Sequence, residues 1–511
     1  MQRSVLLLSV VLAGCGMRPA SNSTDWPLYN GDYSSTRFSQ LSDITPQNVA
    51  HLRQVCAYNL PETVTFESGL VAVQGTLYFT TYEYTYAIDA SNCALKWRAR
   101  HPIATIPAAA ATRGVAYLNN RVFRGSYDGN VIAYDAATGQ QAWITKLTAP
   151  ESGEFISGAP IAWNGMIFIG TAGGDSGSIC HVAALDAITG RILWNFPLVA
   201  TGTAPGSDTW PKGTRLAGGS TWTSLTLDPD TATLYVPAGN PVPDFAGGYR
   251  PGANLYTGSI VMLDAKTGAL RTWVQLAPHD IHDWDVAATP ALITTRQGSR
   301  RAMAAGKDGN LDAVDVTAGQ ILWKTPVSKM ENVDAPLTAE GTHFCPGTRG
   351  GTLWNGPAYS PLENLVYVNS VDWCATVKLD PRVRFEAGKS FVGSANGYGE
   401  MDPLETRNGW VTAIDADSGV VRWGYRTTTP MLAAILATAS GLVLTADLNG
   451  DLLAFEAGTG KLVHRIQTHQ PAGGGIITYK NSGLERIAMA AGFSSGIYKT
   501  TGQPVVFVFG L

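Results

Sequence analysis

Charged residues are scarce in this chain: Lys, Arg, Asp and Glu together make up 15% of 511 residues, and the formal net charge is only −4. A balance this weak, and on the acidic side, excludes the electrostatic footprint of a nucleic-acid binder. Beyond the N-terminus no apolar run approaches the roughly 18 residues that a spanning helix needs. None of the six cysteines stands in a Cys-x-x-Cys or Cys-x-x-Cys-His arrangement, which leaves a zinc ribbon and a covalently attached haem c unsupported. What is abundant points elsewhere. Hydrophobic residues reach 45%, and there are 56 Gly, 28 Pro and 14 Trp. Turn formers and large packing aromatics in these amounts favour many short strands over long helices. The chain is nevertheless too long for an ordinary single domain, and no shift in composition marks a place to divide it.

The N-terminus reads as an address. Arg3 precedes a short apolar stretch, Val5 to Leu12, and Leu12-Ala13-Gly14-Cys15 has the pattern of a bacterial lipoprotein cleavage site. The expected organisation is a signal peptide at 1–14, a lipidated tether at 15–25 starting at Cys15, and one body at 26–511. Gly16 lacks the Asp that commonly marks inner-membrane retention, so the periplasmic face of the outer membrane is favoured; the alternative is a plain secretory signal with an incidental cysteine. In that oxidising compartment disulfides are expected for Cys56–Cys93 and Cys345–Cys374, each between neighbouring segments, with Cys180 left over. Five buried free thiols are the alternative.

Internal repeats decide the architecture. A strand, an Asp, a Thr/Ser-Gly turn and a Trp recur as Asp89…Trp97, Asp135…Gly139…Trp143, Asp186…Gly190…Trp194, Asp264…Gly268…Trp273, Asp315…Gly319…Trp323 and Asp415…Gly419…Trp423. A seventh copy, Glu456 to Gly460, keeps the turn and loses the Trp. In five copies Trp follows Asp by eight positions. Alternating apolar residues before the Asp make a half-buried strand, and Gly supplies the positive φ of a hairpin turn. Each unit is expected to be a four-stranded antiparallel blade. Seven repeats, a further strand pair around Leu365-Val366-Tyr367-Val368 and closure between the chain ends predict an all-β, eight-bladed β-propeller.

The opening Trp26-Pro27-Leu28-Tyr29-Asn30-Gly31-Asp32 and Thr36-Arg37-Phe38-Ser39, with the tryptophan repeats, resemble the pyrroloquinoline quinone (PQQ)-dependent quinoprotein alcohol dehydrogenases over nearly the whole chain after the tether. That resemblance implies a site. Glu67 and Arg113 match residues that hydrogen-bond the polar quinone edge, Ser157 stands near the cofactor, and Trp222 matches the tryptophan under the quinone plane. Asp175 in Gly173-Gly174-Asp175, Asn240 and Asp283 match three metal ligands; two carboxylates and an amide oxygen suit Ca²⁺. Asp283 is implied as general base, Lys307 as the basic residue beside the developing oxyanion, and Gly173, Gly174 and Asn355 as cofactor contacts. Asp285 adds a carboxylate that distinguishes lanthanide-using relatives, but relatives of the glucose dehydrogenase type also carry Asp-x-Asp in this stretch, so Ca²⁺ ranks first and a lanthanide second. Singly each residue has a structural explanation: Asp283 and Asp285 could cap a turn, Trp222 could pack in the core, Lys307 could sit in a solvated turn. Their joint occurrence, in order, carries the reading.

Departures from the family pattern are informative. Ala109-Ala110-Ala111-Thr112 stands where many relatives have adjacent cysteines, Asp175 replaces a Glu, and Met431-Leu432-Ala433-Ala434 replaces a more Gly-rich stretch. Together with Gly218-Gly219-Ser220-Thr221-Trp222 and Cys345-Pro346-Gly347-Thr348-Arg349-Gly350-Gly351, they look more like polyvinyl-alcohol dehydrogenase relatives than methanol enzymes. The resemblance therefore implies oxidation of a secondary, bulky or polyol alcohol, with electrons passing to a separate acceptor of the periplasmic cytochrome c type, and membrane contact through the lipid anchor only. The rival reading is a non-enzymatic lipoprotein propeller of the outer-membrane barrel-assembly type, which shares the repeats but does not require Trp222, Asn240, Asp283, Asp285 and Lys307 together.

Overall fold

The computed structural model describes residues 24–104, 110–149, 151–380 and 382–511, so the expected signal peptide and Cys15 lie outside the described residues. Among the described residues no helix is long and apolar enough to cross a membrane. Eight sheets of four or more strands follow one another along the chain. The first seven are built from 71–100, 116–146, 161–197, 226–275, 291–326, 358–427 and 436–467; the seventh gains Phe38–Ser39 as a parallel fifth strand. The eighth joins 476–510 to Arg53–Asn59 from the other end of the chain, which pairs antiparallel with Val505–Gly510 and closes the ring. This is the expected eight-bladed architecture, reached by a different route. Leu365–Asp372 is no separate blade: it pairs with Asn408–Asp415 inside the sixth, and the unseen blade is the one made by closure.

The repeat explains how neighbouring blades dock. In the turns Oδ1 of Asp135, Asp186, Asp264 and Asp415 accepts two backbone N–H groups and the following Thr or Ser hydroxyl, which fixes the hairpin. The indole of each blade then lies on the turn glycine of the next. A Cβ on Gly139 would sit 2.7 Å from the Trp97 ring, and Gly190, Gly268, Gly419 and Gly460 stand in the same relation to Trp143, Trp194, Trp323 and Trp423. Indole N–H groups of Trp97, Trp143, Trp194 and Trp423 donate to the carbonyls of Ala136, Ala187, Ala265 and Ala457, the residue after the turn acid. Trp323 is the exception, its nitrogen unpaired, while the equivalent Ala416 carbonyl accepts from Arg301.

Trp273 breaks the pattern that the sequence assigned to it. Its interval from Asp264 is nine, and in the ladder Thr272 occupies the position opposite Met262 that the docking Trp holds elsewhere. A slip of one residue turns a strand side chain to the other face. Trp273 packs edge-on against Tyr256, 5.2 Å between ring centres, and Gly319 of the next blade faces only Thr272. Both expected disulfides, Cys56–Cys93 and Cys345–Cys374, are formed, and Cys180 is free and buried.

The contrast between Gly139 and Gly319 separates ring collision from backbone strain, since both have positive φ. Gly319→Ala should cost about 1 kcal/mol from φ alone. Gly139→Ala should cost a further ~1–3 kcal/mol, because its methyl group meets the Trp97 indole. Denaturant midpoints of the two variants check this; equal losses would contradict the docking account.

Candidate functional site

In an antiparallel blade the start of the innermost strand and the end of the second lie on the same side of the sheet. The site residues come from those two places. Glu67, Arg113, Ser157, Trp222, Asp283, Asp285 and Asn355 lie just ahead of innermost strands, while Asp175, Asn240 and Lys307 follow second strands. Backbone bonds tie these segments to one another: Gly69 N–H donates to Arg113, Arg113 to Ser157, Gly475 to Ser68 and Ala434 to Gly474. The ring of blades therefore gathers chain segments far apart in sequence at one end of its axis.

One part of the site is flat and aromatic. Trp222 is only partly buried, and the Arg113 guanidinium lies 4.9 Å from its ring centre and 5.3 Å from that of Trp354. Arg113 also donates to the Glu67 carboxylate at 2.5 Å and to the Trp222 carbonyl at 2.9 Å, and Ser157 Oγ donates to that same carbonyl. Its Nε has no partner. Burial raises the pKa of Glu67, against the pull of Arg113. Asn355 sits close by with every position taken: Oδ1 accepts from Tyr29 and Arg37, and Nδ2 donates to Leu432 and Gly473. No hydrogen-bonding position on its side chain is left for a ligand. Gly173 and Gly174 open the short turn that carries Asp175; Gly173 has φ 103°, and Gly174 N–H donates to Ser220.

The other part is an acidic cluster around one ammonium. Lys307, 3% exposed, reaches Asp283 Oδ1 at 2.8 Å and Asp285 Oδ2 at 3.1 Å. Asp285 Oδ1 accepts from the Asn240 backbone N–H at 3.0 Å, so both its oxygens have protein donors. Asp283 differs. It is buried, it holds the left-handed φ of 62°, and its Oδ2 has no partner. A non-glycine residue held there by its surroundings is the kind of local strain that collects at functional sites. Asp175 accepts from the Tyr398 hydroxyl at 2.8 Å. Burial, and then the Asp285 charge, raise its pKa. Burial pushes Asp283 up to about 8, Asp285 and Asp175 adding to it against Lys307. Burial opposes the charge on Lys307, but the two carboxylates raise its pKa on balance.

Asp244, which the sequence did not single out, belongs to the same cluster: it is fully buried, neither oxygen has a partner, and burial together with Asp175 and Asp283 raises its pKa well above the usual carboxylate range. Its only sequence signal is its place four residues after Asn240, in an insertion that no repeat accounts for. His343, Cys345 and Cys374 also lie close together, but both sulfurs are joined in the disulfide and the imidazole is held by Asp402. An open groove of about 660 Å³ along Trp373, Asp402, Trp410 and Arg426 contains none of the site residues.

The family model for the glucose/ethanol/alcohol dehydrogenase β-propeller domain of PQQ enzymes matches residues 26–326. A model named for outer membrane protein assembly factor BamB matches residues 348–497. The quinohemoprotein alcohol dehydrogenase of Comamonas testosteroni is 28% identical, the match covering 94% of this chain and 74% of that protein. Quinoprotein alcohol dehydrogenase PedH of Pseudomonas putida is 27% identical over 97% of this chain and 92% of its own length. A crystal structure of the Comamonas testosteroni enzyme superposes with a TM-score of 0.87 at 25% identity, covering 95% of this chain and 80% of that one.

The raised pKa of Asp283 contributes to the pH response of metal-free protein, together with those of Asp244, Asp280 and Asp312. Between the ordinary carboxylate value of 3.8 and about 8 the folded chain holds a proton that the unfolded chain has released, so stability falls as pH rises through that interval. Melting temperatures of chelator-treated protein should drop from pH 5 to pH 8, and Asp283→Asn should flatten the slope. An unchanged slope in the variant would contradict the assignment.

Proposed function

Because the chain belongs to the family of PQQ-dependent glucose, ethanol and alcohol dehydrogenase propellers, and is thus an oxidoreductase acting on an alcohol, we propose that it is a periplasmic PQQ- and metal-dependent dehydrogenase of secondary, bulky or polyol alcohols. The observation that carries the reading is a partly exposed tryptophan, Trp222, on the same end of the ring as the buried carboxylates Asp283 and Asp244, whose oxygens lack partners. The donor set fits the implied groups. Buried charges without partners are costly, and a hard cation among acidic oxygens removes that cost. Asp175, Asn240 and Asp283 would hold it. Asp285 already accepts from Asn240 and Lys307 through its two oxygens, and Ca²⁺ ranks first, a lanthanide second.

PQQ, when bound, supplies an electrophilic quinone able to accept hydride from an alcohol carbon. The chain's own residues prepare that transfer. The Trp222 ring offers a flat floor, and the Glu67–Arg113 pair offers fixed polar groups at its edge, with the unpaired Arg113 Nε among them. Asp283 Oδ2, unpaired and shielded from water, takes the hydroxyl proton of the alcohol as general base. Lys307 holds Oδ1 of the same carboxylate, so that Oδ2 stays free, and places positive charge beside the oxygen that becomes negative. Electrons then leave to a separate acceptor of the cytochrome c type, with the chain held at the periplasmic face by Cys15. The barrel-assembly scaffold accounts for the repeats, but it gives no reason for an acidic cluster of this kind.

Purified protein supplied with PQQ and Ca²⁺ should acquire quinone absorbance and reduce a dye when a secondary alcohol is added. Asp283→Asn should keep the absorbance and lose about 10²–10⁴-fold in kcat. Absence of cofactor binding at micromolar PQQ would overturn the reading.

A further inference from the structure

Asp244 is the most isolated carboxyl group in the site. It is 0% exposed and both carboxylate oxygens lack partners. The buried Arg250 beside it does not hydrogen-bond the carboxylate: Arg250 donates through Nε to the Pro243 carbonyl at 2.9 Å and through Nη2 to the Asp244 backbone carbonyl at 2.8 Å, and it also holds Asn254 Oδ1 and the Asp280 carbonyl. Arg250 thus fixes the backbone at 243–244 and leaves the carboxylate unmatched. Two consecutive residues bring that backbone beside Asp175. Phe391 N–H donates to the Asp175 carbonyl at 2.6 Å, and the carbonyl of Val392 accepts from Phe245 N–H at 2.9 Å. The Tyr398 phenol, which donates to Asp175 Oδ2, lies within the fields of Asp175, Asp244 and Asp283 together.

We propose that Asp244 is a further carboxylate ligand of the cation held by Asp175, Asn240 and Asp283, and that it, not Asp285, supplies the additional negative charge that favours a trivalent ion. The inference rests on the cation-site reading above. Two observations separate the aspartates. Asp285 is fully engaged by Asn240 and Lys307, whereas Asp244 has two free oxygens. Lys307 offsets part of the charge of Asp283 and Asp285, but no ammonium contacts Asp175 or Asp244 among the described residues. An isolated carboxylate this deeply buried destabilises the chain unless an ion meets it, and adding a charged oxygen ligand tightens binding of hard cations, more so for higher charge.

The test measures cation binding itself. PQQ-treated protein, stripped of metal with a chelator, is titrated with La³⁺ and with Ca²⁺ by calorimetry, and bound metal is counted by mass spectrometry after gel filtration. Asp244→Asn should weaken La³⁺ by at least about tenfold and Ca²⁺ by less. Without metal it should melt no lower than the unsubstituted chain, since an unmatched charge has been removed. Asp244→Ser gives the same comparison should the amide not fit. Unchanged affinity for both ions in a folded variant would overturn the proposal. Failure of the unsubstituted protein to bind either ion would instead overturn the cation-site reading, and that outcome is visible before any variant is made.

Discussion

At five junctions a blade meets the next where an indole lies against a glycine that has no Cβ to hold it away, and the rest of the molecule depends on that contact. It sets the distance and angle between successive sheets, as at Trp97 on Gly139 and Trp423 on Gly460. With the angle repeated, a chain of blades curves into a ring, and the two chain ends come close enough for Arg53–Asn59 to pair with Val505–Gly510. A ring has one axis, and the segments leading into its innermost strands must crowd around it. The site is therefore a consequence of closure: Glu67, Arg113, Trp222 and Asp283 come from four blades and meet because each leads toward the same axis.

What crowds there is unfavourable for the chain alone. Of Asp175, Asp244, Asp283 and Asp285, only Asp283 and Asp285 reach an ammonium among the described residues, that of Lys307, and three oxygens of Asp244 and Asp283 have no donor. Asp283 adds a left-handed φ. Buried charge and local strain of this kind oppose folding, and the docked blades around them supply the apolar burial that offsets it. The same features are useful to a dehydrogenase. A bound cation would replace the missing donors, and the unpaired Asp283 Oδ2 would be placed to take a proton.

Much of the fold was legible because the docking contact is local in sequence. An Asp, a Gly four positions on and a Trp at eight positions are all within one hairpin, and four copies repeat them without change of spacing. Trp273 was misread because its spacing of nine looks close to eight, while a strand treats one residue as a change of face. The eighth blade was misplaced for the opposite reason. Its strands come from the two ends of the chain, and no local pattern joins them. Asn355 illustrates a further limit: its type and position suggest a ligand contact, but which groups saturate an amide depends on neighbours such as Tyr29 and Arg37, more than 300 residues away.

The sequence by itself determined the repeat and the disulfide pairs and singled out the aspartates and tryptophan of the candidate site, because each is carried by short-range spacing or by residue type. Only the tertiary structure decided which carboxylates are matched. Asp285 and Asp244 are equivalent as letters, yet one is held by Asn240 and Lys307 while the other is buried without a donor. That difference follows from where Arg250 and Lys307 direct their hydrogen bonds, and those directions are fixed by packing between blades.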